Sequence, residues 1–416
     1  MSRRYSSVAH SIERALPGFP FDAILPWRRR AVRAGGATPI GHGDVRVLIG
    51  PENSAGQAYA WSRAITSALG ESATSLMIRS AGDRWQFPAD HVVASADAAH
   101  LPWQRAQWRA VGRFTHVILE SGRPLFGDDG TAVDAQVRRL MKRGIKVALL
   151  WHGSDIRGPH SHAAREAFSP FRVIDSLRVE EIADRVSRNR ELANALRIPQ
   201  FVSTPDLLID APEATWLPVV VDCDEWSHAG IAPPFRGQRP VVAHAPSDGP
   251  MKGTGLVRPL LRKLHDEGLL EYREAEGLPS TSMRDFFSSA DIVLDQFALG
   301  SFGVASSEAL SAGRLVIGHV SPQTRAVVEA VTGRQLPIVQ STADTLESTL
   351  RTIVADPAQF SDVADRGREY ARAVHDGRFS AQVLGSFLGV PHDSGSQHGH
   401  GTMDECPLGP MEGENG

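Results

Sequence analysis

Cysteine is nearly absent: Cys223 and Cys406 are the only two among 416 residues. That excludes a disulfide framework and a cysteine zinc site, and it fits a reducing compartment. No apolar run approaches the length of a membrane-spanning helix, and the first residues lack the apolar core of a signal peptide. The expected location is therefore cytoplasmic. No basic stripe with interleaved aromatics occurs in the part expected to fold, and the net charge is −4, so nucleic acid is not an expected partner. A G-x-G-x-x-G fingerprint is also missing, which leaves nicotinamide binding without support.

What is present reads as alternating strands and helices. With 42% hydrophobic and 22% charged residues, the chain can bury two cores of ordinary domain size. Strand patterns fall at 45–50, 73–78, 115–119, 145–151, 200–203, 240–244, 291–295 and 315–318. Helical patterns fall between them, at 57–69, 101–112, 131–143 and 177–196. Alternation of this kind predicts an α/β fold of parallel sheets with crossover helices, whose ligands bind beyond the carboxyl ends of the strands. The expected division is a basic extension (1–43), a first Rossmann-like domain on the acceptor side (44–222), and a linker (223–238) containing Pro233 and Pro234. A second Rossmann-like domain on the donor side (239–374), a helix crossing back (375–390) and a disordered tail (391–416) follow.

The most informative segment is Gly300-Ser301-Phe302-Gly303-Val304, a glycine-rich loop between two strand patterns that opens a helix ending at Gly313. Backbone at Ser301, Phe302, Gly303 and Val304 can approach a ligand, and the free N–H groups and dipole of the helix suit an anion such as phosphate. Glu308 lies one turn inside that helix and leans back toward the loop. A carboxylate repels phosphate but accepts from sugar hydroxyls, which suggests a nucleotide held by its diphosphate on the loop and its ribose on Glu308. Taken singly, Glu308 is equally a helix residue met by solvent or by an arginine.

Upstream, His244-Ala245-Pro246-Ser247 leaves another strand and leads to Lys252-Gly253-Thr254-Gly255. Pro259 suits a first helical turn, so a helix starting near Leu256 is expected, with Thr254 or Gly255 as its cap. Lys252 then stands just before a helix N-terminus, where it can add a full charge to the same diphosphate, with Ser247, Gly253 and Thr254 expected to bind the donor beside it. Read alone, it is also a surface lysine paired with Asp248.

In the first half, Gly56 follows a strand and opens a helix; either it admits a donor diphosphate or acceptor, or it is a turn glycine. His152 directly follows the strong strand pattern 145–151, with Asp155 and Arg157 close behind as candidate sugar or acceptor contacts. It can hydrogen-bond a sugar hydroxyl or relay a proton, or it is satisfied by local backbone.

These segments, in this order, resemble the retaining nucleotide-sugar-dependent glycosyltransferases of the GT-B fold, family four. The resemblance spans roughly residues 40 to 390. It rests on His244-Ala245-Pro246-Ser247 with Lys252-Gly253-Thr254, on Ala290 to Gln296, and on Phe302-Gly303 with Glu308-Ala309-Leu310. In the first half it rests on Leu149 to Arg157, Ser203 to Leu208 and Trp216 to Asp222.

The resemblance implies two Rossmann-like domains facing across a cleft and transfer of a sugar to an acceptor hydroxyl with retention, in hexosyltransferase-like carbohydrate biosynthesis. It implies no metal and no cofactor beyond the nucleotide-sugar co-substrate, and it places His152 near the donor sugar. The acceptor, whether glycan, lipid-linked or small molecule, stays open. Two departures matter: family members commonly carry a Glu where this chain has Gly300, and an Arg shortly before the lysine, where Gly249 stands. Arg157 is a candidate replacement cation. The alternatives are a sugar-nucleotide epimerase or phosphorylase, or a binding protein without turnover. Donor and acceptor choice is expected from loops such as 80–103 and 270–284.

The first 46 residues hold eight arginines and three acidic residues, a net of +5. Together with Phe19, Phe21 and Trp27 they suit peripheral contact with an anionic membrane surface, or an ordinary mobile arm. The tail histidines His392, His398 and His400 carry no expected function.

Overall fold

The computed structural model describes residue 26 and residues 36–390, except 84, 128–129, 228–231 and 276. The tail, and the N-terminal extension apart from residues 26 and 36–43, lie outside the described residues. Strands β1 (Arg46–Gly50), β2 (Ser72–Arg79), β3 (His91–Ala94), β4 (His116–Glu120), β5 (Lys146–Trp151), β6 (Gln200–Val202) and β7 (Thr215–Trp216) form one sheet, in the order β3-β2-β1-β4-β5-β6-β7. A second sheet takes β8 (Val241–His244), β9 (Glu271–Glu274), β10 (Ile292–Leu294), β11 (Leu315–Gly318) and β12 (Val339–Gln340), in the order β12-β11-β10-β8-β9. Neighbouring strands pair in parallel in both.

Parallel strands covered on both faces need apolar side chains in succession rather than in alternation. Val47, Leu48 and Ile49 of β1 and Ala148 to Trp151 of β5 are accordingly fully buried. Strand β9 was not expected, because Glu271-Tyr272-Arg273-Glu274 is charged; it lies at a sheet edge, where charge discourages pairing with other chains.

The helices that matter for the site are α1 (Gln57–Leu69), α2 (Pro159–Arg165), α3 (Ser176–Leu196), α4 (Thr254–Asp266), α5 (Val304–Ser311), α6 (Ala358–Val374) and α7 (Arg378–Leu388). Asp175 caps α3 by accepting from the N–H groups of Leu177 and Arg178. α4 begins at Thr254, earlier than expected, so Pro259 falls inside the helix and leaves the Gly255 carbonyl without its helical donor. A separate turn, Gly249–Lys252, precedes it and is capped by Asp248. α7 packs on the first domain: Leu384 and Leu388 share a core with Val47, Ile49, Trp61 and Ile65. Each such leucine contributes about 1.5–3 kcal/mol.

Strand order reverses between β1 and β4 in one sheet and between β8 and β10 in the other. Loops leaving the carboxyl ends of adjacent strands diverge at such a point and open a crevice.

Candidate functional site

A cavity of about 410 Å³ lies where the two crevices meet. The first domain lines it with Ser54, Ala55, Gln57, His152 and Arg157, and the second with Ser247, Lys252, Asp295, Glu308 and the loop 301–304. The lysine and the helix tip named from the sequence therefore face one hollow.

On the second-domain side, α5 starts at Val304 with Gly303 as its N-cap and no side chain closing its end. Its leading N–H groups belong to residues that line the cavity, and they carry the positive end of the helix dipole. Lys252 does not pair with Asp248, which is bound by Arg178 at 2.6 Å. Instead its Nζ sits 3.0 Å from Asp295 Oδ1, while the other oxygen of Asp295 accepts from Ser306. Glu308 makes no side-chain hydrogen bond among the described residues. Burial raises its carboxyl to about 8, with Lys252 opposing the rise and Asp295 adding to it. With its carboxyl raised to about 8, Glu308 is mostly protonated at neutral pH and can donate as well as accept.

Gly253 and Thr254 do not line the cavity, contrary to expectation. Gly253 ends the turn carrying Lys252, and the Thr254 hydroxyl is buried against His244 Nε2 at 2.9 Å. His244 Nδ1 meets the Leu294 carbonyl at 2.9 Å, so this set ties β8, β10 and the start of α4 together. These residues position Lys252 and are not part of the cavity lining.

On the first-domain side, His152 Nε2 hydrogen-bonds Glu120 Oε1 at 2.9 Å, and its ring stacks on Trp61 at 6.0 Å. Burial works to lower the pKa of His152, but the Glu120 hydrogen bond and charge, helped by Asp155 and Glu52, leave it raised overall. Nδ1 has no protein partner among the described residues. Glu120, fully buried at the end of β4, also accepts from the backbone N–H groups of Glu52 and Asn53 at 2.9 and 2.8 Å. Sequence reading missed Glu120; the available signal was a carboxylate ending an apolar strand beside a reversal of strand order.

Asp155 does not line this cavity: both its oxygens accept from the N–H of His152, and one from Gly153 at 2.7 Å. It shapes the turn that presents His152. Arg157 does line the cavity, but its guanidinium holds Asp206 at 2.6 and 3.1 Å, so it is no free replacement cation. Burial works to raise the Asp206 carboxyl, and Arg157 and Ser301 outweigh it and hold the carboxyl low. The Ser301 hydroxyl donates to Asp206, which joins the glycine loop to the first domain. Of the two readings of Gly56, the packing favours the turn glycine. A β-carbon there would stand 3.1 Å from Phe87 Cδ1, and only its neighbours Ser54, Ala55 and Gln57 reach the cavity. Its role is close packing of the loop.

The outer wall brings both expected loops together: Trp85 and Phe87 from the first domain stand across from Ala275, Leu278 and Met283. Flat apolar walls of this kind suit a planar base or the face of a sugar.

No family model matches the chain, and no curated protein sequence matches it. Solved structures share its fold. Anabaena HepE, solved in complex with UDP-glucose, aligns with a TM-score of 0.52 at 12% identity, over 82% of this chain and 98% of that one. Sucrose-phosphate synthase from Thermosynechococcus elongatus aligns at 0.52 with 11% identity, again over 82% and 98%. The catalytic domain of starch synthase IV from Arabidopsis thaliana, bound to ADP and acarbose, aligns at 0.51 with 9% identity over the same shares. The common architecture is GT-B: two parallel-sheet domains facing across a cleft. At these identities the likeness is one of fold.

Proposed function

We propose that this protein is a retaining glycosyltransferase that moves a sugar from a nucleoside diphosphate onto an acceptor hydroxyl, in glycoconjugate synthesis. The observation carrying this reading is one cavity shared by Lys252, the uncapped start of α5, Glu308 and His152. The diphosphate lies against the α5 amides, with Lys252 turning from Asp295 toward it. The ribose hydroxyls reach Glu308, and the base takes the apolar outer wall. As the sugar–oxygen bond breaks, negative charge grows on the departing diphosphate, where the ammonium and amides stabilise it most. The acceptor approaches from the first-domain side and forms its bond on the face the nucleotide leaves; its proton passes to the departing phosphate. His152 orients a sugar hydroxyl, with Glu120 fixing the imidazole.

The test is incubation of the purified chain with UDP-, GDP- and ADP-sugars, followed by mass spectrometry. Slow donor hydrolysis or sugar transfer, lost in Lys252→Ala, supports the reading. Interconversion of epimers replaces it with isomerase chemistry. A second reading, nucleotide-sugar binding without turnover, is favoured by one observation: Lys252 is already neutralised by Asp295. Tight nucleotide binding with no product from any donor would establish that reading instead.

A further inference from the structure

A second cavity, of about 650 Å³, opens on the first domain beside the first and shares Ser54 and His152 with it. Molecules held in the two cavities would meet across His152. Its lining comes from the loops after β1, β4 and β5 and from one face of α3. The charges on that lining are unequally engaged. Glu52 is paired with Arg123, and Asp155 is consumed by the N–H groups of His152 and Gly153. Arg185 and Arg188, both exposed on α3, have no ion pair among the described residues. Other arginines of the same helix do have one: Arg178 holds Asp248 and Arg190 holds Asp210. Two like charges three residues apart on a helix repel, and an anion between them removes the repulsion. Ser121, in the left-handed region at φ 56°, borders the same hollow, as does Ser154. Strained backbone of this type gathers at ligand sites.

We propose that this second cavity is the acceptor subsite, and that it selects an acceptor carrying an oxyanion, phosphate or carboxylate, near its reacting hydroxyl. Arg185 and Arg188 hold the oxyanion, and the hydroxyl extends past Ser54 to His152 and the donor sugar. This deepens the transferase reading and rests on it. The oxyanion belongs either to a soluble molecule or to a lipid headgroup.

Calorimetry on the full chain, without nucleotide, compares glycerol 3-phosphate with glycerol, in wild type and in the Arg185→Gln/Arg188→Gln double variant. Saturable binding of glycerol 3-phosphate alone is expected, weakened about tenfold or more in the double variant, because each charged contact carries roughly that factor. Sedimentation with phosphatidic acid vesicles against phosphatidylcholine vesicles separates the sources. Arginine-dependent pelleting with the acidic vesicles assigns the oxyanion to a lipid headgroup. Binding of the soluble phosphate without pelleting assigns it to a soluble acceptor. If neither probe binds, or if the double variant binds both as wild type does, the subsite is overturned. A parallel titration with UDP, GDP and ADP reads the donor site separately. The double variant should keep the wild-type nucleotide affinity, and wild type that binds none of the three would sink the donor reading rather than the arginine pair.

Discussion

Glu166 of the first domain and Gly300 of the second meet between the two domains: Glu166 Oε1 lies 2.6 Å from where a β-carbon on residue 300 would stand. Glu166 also hydrogen-bonds His319 Nε2 at 2.9 Å, and His319 Nδ1 meets Gln340 at 3.0 Å. Gly300 is left-handed at φ 66°, so a side chain there meets both backbone strain and a carboxylate from the facing domain.

Gly300→Ala is expected to destabilise the fold by about 1–3 kcal/mol, through the strained φ and the clash together. In urea unfolding, Gly300→Ala combined with Glu166→Ala should recover the clash part only. A single variant as stable as wild type would refute the contact.

Glu308 gives a pH signature. Its folded pKa of about 8 stands above its ordinary 4.5. The stability it contributes is therefore complete below pH 4.5 and is lost as pH rises through 8. Glu308→Gln imitates the protonated form and escapes that loss. Thermal melts from pH 5 to 8.5 should show the variant gaining on wild type by about 2 kcal/mol across the range, after discounting for the opening to the cavity. Parallel curves would mean the carboxyl titrates normally.

Lys252 and Asp295 can be separated by a double substitution. Lys252→Met removes the cation expected on the diphosphate and leaves Asp295 buried without its partner, so it should cost both stability and about tenfold to a hundredfold in nucleotide affinity. Adding Asp295→Asn should restore stability but not affinity. Recovery of UDP binding in the double variant, read by calorimetry, would show that Lys252 acts only through Asp295.

His375 links the start of the crossing segment to the first domain by its Nδ1 bond to the Val219 carbonyl at 2.8 Å. Burial lowers its pKa to about 4, and the backbone bond and Asp376 only partly oppose this. The unfolded chain takes up the proton near pH 6.5 and the folded one does not until about 4. Stability present above 6.5 is consequently lost as pH falls toward 4, by about 3 kcal/mol. His375→Gln should flatten this acid limb in urea titrations between pH 4 and 7; an unchanged limb would place the titration elsewhere.

Much of the fold was legible because its signals are local. The Val304–Ser311 helix announces itself by a glycine loop before it and Gly313 after it, and β1 and β5 by unbroken apolar runs. β9 escaped because charge at a sheet edge imitates a loop. The start of α4 was misplaced because Pro259 suggested a first turn, whereas Gly253 and the buried Thr254–His244 bond set the boundary.

By itself, the sequence determined two α/β halves and the presence, at their strand ends, of an ammonium at 252 and a helix tip at 304. Propensity and periodicity act over a few residues, and these features need no more. Only the tertiary structure decided what each charge meets: Lys252 with Asp295, Arg157 with Asp206 and Ser301, His152 with Glu120, Glu166 with His319. Those partners lie tens of residues or more apart, and strand order together with the facing of two sheets brings them within a few ångströms, where opposite charges and hydrogen-bonding groups attract strongly.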